Sequence, residues 1–124
     1  MFTHVMVGTN DLTKARLFYD ALFAALGAGR GSEFQGRAFY SHGGAGFGLG
    51  VPINSDAASA ANGGTIGFAA PSTEAVDAWH AAGLSHGGTC EGKPGHRPQA
   101  PGNTYAAYLR DPDGNKLCAS CQMG

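Results

Sequence analysis

The chain has 124 residues, 21 of them glycine, with 43% hydrophobic and 14% charged content and a net charge of −1, which fits one ordinary domain and leaves no room for a second core. The glycines follow no Gly-X-Y period, which excludes a collagen, and seven Phe, four Tyr and one Trp exclude a disordered chain. Eight basic and nine acidic residues without a run of like charge exclude the electrostatic footprint of a nucleic-acid binder, and no apolar stretch approaches the roughly 20 residues that span a bilayer.

Thr3 to Gly8 alternates Val5 and Val7 with His4 and Met6, the period of a strand. Asn10 or Asp11 then caps a helix, because Leu12, Ala15, Phe18, Tyr19, Leu22 and Leu26 recur at helical spacing and Gly27 supplies a stop. Gly29 to Gly36 reads as an irregular or short strand. Arg37 to His42 and Phe47 to Pro52 read as strands joined by the turn Gly43-Gly44-Ala45-Gly46. Asn54 to Asn62, small and polar, is the linker.

A strand over Thr65 to Ala70 leads to the cap Ser72 and a helix over Thr73 to Ala82, with Val76 and Trp79 on its buried stripe and His80 flanking it. Gly83 is expected to end that helix. Ser85 to Gly102 is rich in Gly and Pro; His86 to Glu91 is a candidate short strand, and Lys93 to Pro98 either a rim loop over a pocket or a solvated connection. Tyr105 to Arg110 and Asn115 to Ser120 are strands around the turn Asp111-Pro112-Asp113-Gly114. Met1 to Met6 lacks the basic and long apolar parts of an export signal and three cysteines is an odd number, so a cytoplasmic protein with reduced thiols is expected.

Strand, helix and strands thus occur twice, with module one at 1–53, a linker at 54–62 and module two at 63–124 of a single domain. An offset of 61 residues carries His4 onto Thr65, Ala15 onto Val76 and Phe18 onto Trp79. An offset of 68 carries Tyr40 onto Tyr108, Leu49 onto Leu117 and Gly50 onto Cys118.

With His4 in the first strand, Asp11-Leu12 followed by Ala15 and Phe18-Tyr19, and Asp111-Pro112-Asp113-Gly114-Asn115-Lys116 before the last strand, the whole chain resembles the vicinal oxygen chelate superfamily. That group holds glyoxalase I, extradiol dioxygenases, and bleomycin and fosfomycin resistance proteins. The resemblance implies an α+β fold of two βαβββ modules related by a pseudo-twofold, with curved mixed sheets forming a cup, and it implies a homodimer. Whether the modules that face each other belong to one chain or to two is left open.

The resemblance places metal ligands at the first and last strands of each module, here His4, Thr65, Gly50 and Cys118. Only His4 keeps a usual ligand type. Glycine has no side chain, and a catalytic metal needs about three protein ligands, so no metal or other cofactor is expected and a divalent ion is disfavoured. Cys118 and Cys121 lie three apart, on opposite faces of a strand, and cannot clamp one ion there. A reactive Cys118 would need an imidazole beside it, with His4 the candidate.

Taking Arg110 opposite Asn115 in a symmetric hairpin turns Tyr105 toward the cup with Cys118 and Tyr108 toward the helix. The expected ligand-binding set is therefore His4, Gly50, Thr65, Gly67, Arg97, Tyr105 and Cys118. Within it His4 is the candidate general base, and Tyr105 the candidate catalytic partner that, like Arg97, orients an anionic or carbonyl substrate. His4 reads equally well as a half-buried strand residue bonded to a neighbour. The function expected is small-molecule binding in the cup, with lyase or isomerase chemistry if it is catalytic; the alternative is a protein that sequesters a drug or metabolite without turnover.

Overall fold

Alternation and helical stripes translate directly into the architecture of a computed structural model that describes residues 1–124. Module one consists of β1 (His4–Gly8), α1 (Leu12–Ala25), β2 (Ser32–Phe34), β3 (Arg37–His42) and β4 (Ala45–Gly50). Module two repeats the order with β5 (Ile66–Ala69), α2 (Thr73–Ser85), β6 (Thr89–His96), β7 (Thr104–Arg110) and β8 (Lys116–Gln122). Each module forms an open four-stranded mixed sheet, ordered β1-β4-β3-β2 and β5-β8-β7-β6, in which the first strand runs parallel to the last. The fold is α+β with two βαβββ modules, as expected.

Local chemistry sets the boundaries. The Asp11 carboxylate accepts from the Lys14 amide at 3.1 Å and the Ser72 hydroxyl oxygen from the Ala75 amide at 3.1 Å, so both helices carry a side-chain N-cap worth about 1 kcal/mol. His42 pairs with Ala45, leaving Gly43 and Gly44 as a two-residue hairpin turn with φ of 61° and 83°. Left-handed φ at both positions is the type I′ requirement, which explains the glycine pair.

Gly83 does not end α2, which continues to Ser85. It is instead a point of close packing: a Cβ there would lie 2.3 Å from Leu109 Cδ1 and 3.2 Å from Leu22 Cδ2. The Gly/Pro-rich stretch is also more regular than its composition suggests, because β6 runs through Lys93, Pro94 and Gly95 with two register shifts against β7. Pro94 is accommodated because β6 is an edge strand, where a missing N–H leaves no ladder partner unmet.

One core joins the modules. Phe18, Tyr19, Leu22 and Phe23 of α1 pack with Val76 and Trp79 of α2, against Tyr40, Phe47 and Leu49 of one sheet and Ala107, Leu109 and Leu117 of the other. Trp79 is fully buried with its indole N–H unpartnered. Removing about 200 Å² of ring from water contributes roughly 5 kcal/mol at about 25 cal/mol per Å². That exceeds the about 1–3 kcal/mol an unmade N–H bond costs.

The Asp111 turn fastens module two to module one. Asp111 is buried, and its Oδ1 accepts from the Asp113 and Asn115 amides, each at 2.9 Å. Its Oδ2 accepts from Asn115 Nδ2 at 2.9 Å and from the Tyr19 hydroxyl of α1 at 2.5 Å. Asp113 Oδ1 accepts from the Asn10 amide at 3.0 Å. Burial, and the Asp111 charge beside it, hold the Tyr19 phenol neutral far above its ordinary range. The linker folds back on module one, with the Ala58 amide donating to Asn10 Oδ1 at 2.7 Å.

Candidate functional site

Strand parity divides each sheet into a core face and an uncovered face. Both core faces and both helices share one hydrophobic cluster, and the uncovered faces lie outside it.

The uncovered face of sheet 1 has a glycine floor. Gly46, Gly48 and Gly50 of β4 lie on it, beside His4, Met6 and Gly8 of β1 and Ser41, Phe39 and Arg37 of β3. Met6, Phe39 and Phe34 remain 41%, 38% and 64% exposed. A Cβ on Gly48 would meet the Met6 thioether and the Phe39 ring, so these side chains occupy the space that the glycine leaves. His4 is exposed at the start of β1, its Nδ1 2.9 Å from Thr3 Oγ1. It lies beside Gly46, while Gly50 lies beside Gly8. The four intervening steps separate them by roughly 13 Å at about 3.3 Å per residue.

The uncovered face of sheet 2 carries Gly67, Cys118, Tyr108 and Gly92 in one cross-strand row. The Arg97 guanidinium stands 5.5 Å from the Tyr108 ring centroid and Lys116 Nζ stands 5.4 Å from it. Arg97 donates to the Gly95 and Lys93 carbonyls, and neither cation is in a salt bridge. Arg110, by contrast, is paired with Glu91 at 2.6 Å. Burial pushes the Cys118 thiol up, against the opposing pull of Tyr108, Arg97 and Lys116, so at neutral pH it is a thiol. Cys118 in turn raises the Tyr108 phenol, assisted by burial.

Tyr105 departs from its expected position. Asp111 N donates to Asn115 O, which makes the hairpin loop five residues long and sets Arg110 opposite Lys116 rather than Asn115. That one-residue slip exchanges the faces of β7. Tyr108 therefore lies opposite Cys118, while Tyr105 turns toward α2 and donates to Asp77 Oδ1 at 2.7 Å.

The same register corrects the repeat arithmetic. With Met6 matched to Gly67, the sheet pairings match Gly48 to Cys118 (offset 70) and Phe39 to Tyr108 (offset 69). Gly50 is matched to Ser120 and not to Cys118. Thr65 is exposed one residue before β5. The structure thus brings Gly67, Cys118 and Arg97 together on sheet 2, leaves His4 and Gly50 at opposite ends of sheet 1, and puts Tyr105 on the other face of sheet 2. Tyr108 and Lys116 were missed as site residues, and only the count of loop residues after Asp111 carries the signal for Tyr108.

The donor set does not fit a catalytic divalent ion. No group of three or more His, Cys, Asp or Glu side chains is placed to hold one. Even across two chains, His4 and Cys118 provide two donors where about three are needed.

A cavity of about 360 Å³ opens at the seam of the modules, where Phe23, Phe47 and Phe68 form an apolar wall and His4, His42 and Gly67 reach its edge. No helix is long and apolar enough to cross a membrane.

A family model described as Glyoxalase/Bleomycin resistance protein/Dioxygenase superfamily matches residues 1–119. Among solved structures, a glyoxalase/bleomycin resistance protein from Albidiferax ferrireducens T118 is 55% identical, covering 97% of this chain and 98% of that one with a TM-score of 0.93. A lactoylglutathione lyase from Agrobacterium tumefaciens is 23% identical over 97% of this chain and 92% of its own, with a TM-score of 0.65. A glyoxalase/bleomycin resistance protein/dioxygenase family enzyme from Burkholderia phytofirmans PsJN is 18% identical over 95% of each chain, with a TM-score of 0.72. These last two share the fold. No curated protein matches the sequence.

Proposed function

The chain belongs to the glyoxalase/bleomycin resistance protein/dioxygenase superfamily, and from that premise we propose that it binds a small anionic molecule, without the usual divalent metal, in a cup built by two copies. The observation that supports this reading is the pair of cations without salt bridges, Arg97 and Lys116, beside the Tyr108 ring on the uncovered face of sheet 2, a face that the sheet of a second copy would close into a cup. In a symmetric homodimer, sheet 1 of one protomer lies over sheet 2 of its partner, and the symmetry makes two such cups. The glycine floor leaves room for the ligand, Tyr108 supplies a flat platform, and the unpaired Arg97 and Lys116 supply charge. Tyr108 takes the role first expected of Tyr105, and Gly67 and Cys118 line the platform.

If the bound molecule is turned over, His4 of the facing sheet is the group available to move a proton next to a carbonyl, the chemistry of a lyase or isomerase. Without turnover the same cup sequesters a drug or metabolite. Three free thiols fit a cytoplasmic location.

A second reading rests on the seam cavity, whose aromatic wall suits an apolar guest held within one chain. Sedimentation velocity together with thermal shifts across a panel of small carboxylates and phosphates separates the two. The cup predicts a dimer stabilised by an anion, and loss of on the order of tenfold in affinity in Arg97→Ala/Lys116→Ala, as expected when charge-assisted hydrogen bonds are removed. A monomer that still binds, or binding abolished by Phe68→Trp and untouched by the double variant, overturns the cup in favour of the seam.

A further inference from the structure

On the far face of sheet 2 from Tyr108, at its β6 edge, a thiol and an imidazole meet. Cys90 lies opposite Leu109 in the β6–β7 ladder, which turns its side chain toward α2, yet the residue is exposed because β6 is an edge strand. His80 of α2 is only 7% exposed, contrary to its expected flanking place, and its Nε2 is 3.2 Å from Cys90 Sγ. The ring nitrogen of a buried residue thus lies within hydrogen-bonding distance of the thiol of an exposed one.

Two further charged groups act on that ring. Asp77 lies one turn earlier on α2, its carboxylate accepting from Tyr105, and favours the imidazolium; Lys93 of β6 opposes it. Burial has the largest influence and lowers the His80 pKa, keeping a neutral ring available to accept a proton. The other two thiols lack this arrangement. Cys118 is buried beside Tyr108, and Cys121 makes no hydrogen bond to an imidazole.

We propose that Cys90 and His80 form a thiol–disulfide exchange site at which low-molecular-weight disulfides reversibly thiolate the chain. His80 Nε2 takes the Cys90 proton as the sulfur attacks one sulfur of the disulfide R–S–S–R. The new Cys90–S–S–R bond forms as the old S–S bond breaks, and the departing thiolate recovers the proton from the imidazolium and leaves as R–SH. Cys90 is oxidised to the mixed disulfide and one half of the reagent is reduced to the thiol, so atoms and electrons balance. The site is independent of the proposed cup, since it lies on the opposite face of the sheet.

Neutral hydroxyethyl disulfide is the probe, with adducts followed by mass spectrometry of the folded chain and its peptides near neutral pH. The expected result is one fast adduct at Cys90, formed faster than on free cysteine and reversed by added thiol. His80→Gln slows it on the order of tenfold or more, within the effect of a positioned base, while Cys121 reacts at an unchanged rate. A first adduct at Cys121 or Cys118, or an unaltered Cys90 rate in a folded His80→Gln chain, overturns the proposal. Should that substitution loosen the fold, the wild-type comparison decides: a Cys90 no faster than free cysteine is an ordinary surface thiol.

Discussion

The two modules share a topology but not a chemistry. Toward the core they match closely: Ala38 and Tyr40 of β3 correspond to Ala107 and Leu109 of β7, and Ala15 and Phe18 of α1 to Val76 and Trp79 of α2, all buried. Away from the core, the glycine floor under Met6 and Phe39 corresponds to a phenol between two cations beside a buried thiol. The period of a strand explains how both can be true. Successive residues serve opposite faces, so one face can hold a shared core while its neighbours change freely.

The widest test of this division is the turn that joins the modules. Asp111→Ala orphans the buried Tyr19 hydroxyl together with the Asp113 and Asn115 amides, and should cost about 3 kcal/mol or more. Asp113→Ala, on the outer side of the same turn, should cost under about 1 kcal/mol. Urea midpoints compare the two, and equal losses would mean that the turn does not depend on the buried carboxylate.

Glycines on the two kinds of face give a smaller contrast. Gly83→Ala drives a methyl group into Leu109 inside the core and should destabilise by about 1–3 kcal/mol. Gly48→Ala displaces the half-exposed Met6 side chain and presses on the half-exposed Phe39 ring, both free to shift at the surface, and should change stability by about 0.5 kcal/mol or less. Thermal unfolding of the two variants ranks them, and a reversed order would break the division between faces.

A further contrast is confined to alkaline solution. Tyr19 and Tyr40, both in module one, are held neutral above their ordinary range, first by burial and then by Asp111 and Asp20 respectively. A raised folded-state value stabilises fully below the unfolded value, and that contribution is lost as pH rises through it. Stability should therefore begin to fall near pH ~10, by up to about 1.4 kcal/mol per pH unit for each phenol. Tyr19→Phe should flatten the slope of the urea midpoint between mildly and strongly alkaline buffers.

Much of this was legible in the residues because most signals were local. Asn10 or Asp11, and Ser72, identified their helices, and Ala15, Phe18, Val76 and Trp79 the buried stripes. The Gly43 to Gly46 turn located its hairpin but was read two residues too long, since Ala45 and Gly46 already belong to β4, which ends at Gly50 and not at Pro52. The extent of α2 was hidden because glycine is both a helix stop and a point of close packing, and only the nearness of Leu109 and Leu22 decides which Gly83 is. The faces of β7 were hidden by one hydrogen bond across the Asp111 loop, which set the register and exchanged Tyr105 for Tyr108. Cys90 and His80, ten residues apart with a helix end between them, carry no sequence signal of their meeting.

The Asp111 turn also bears on how the chain is made. Tyr19 waits 92 residues for its hydrogen-bond partner, so an emerging module one holds a phenol and an aromatic core surface that nothing in its own length completes. Synthesis from the N-terminus should then leave the first half loosely ordered until the last hairpin closes, and folding should be cooperative over both halves. Dividing the gene at the linker should yield two aggregation-prone fragments, although the topology appears twice.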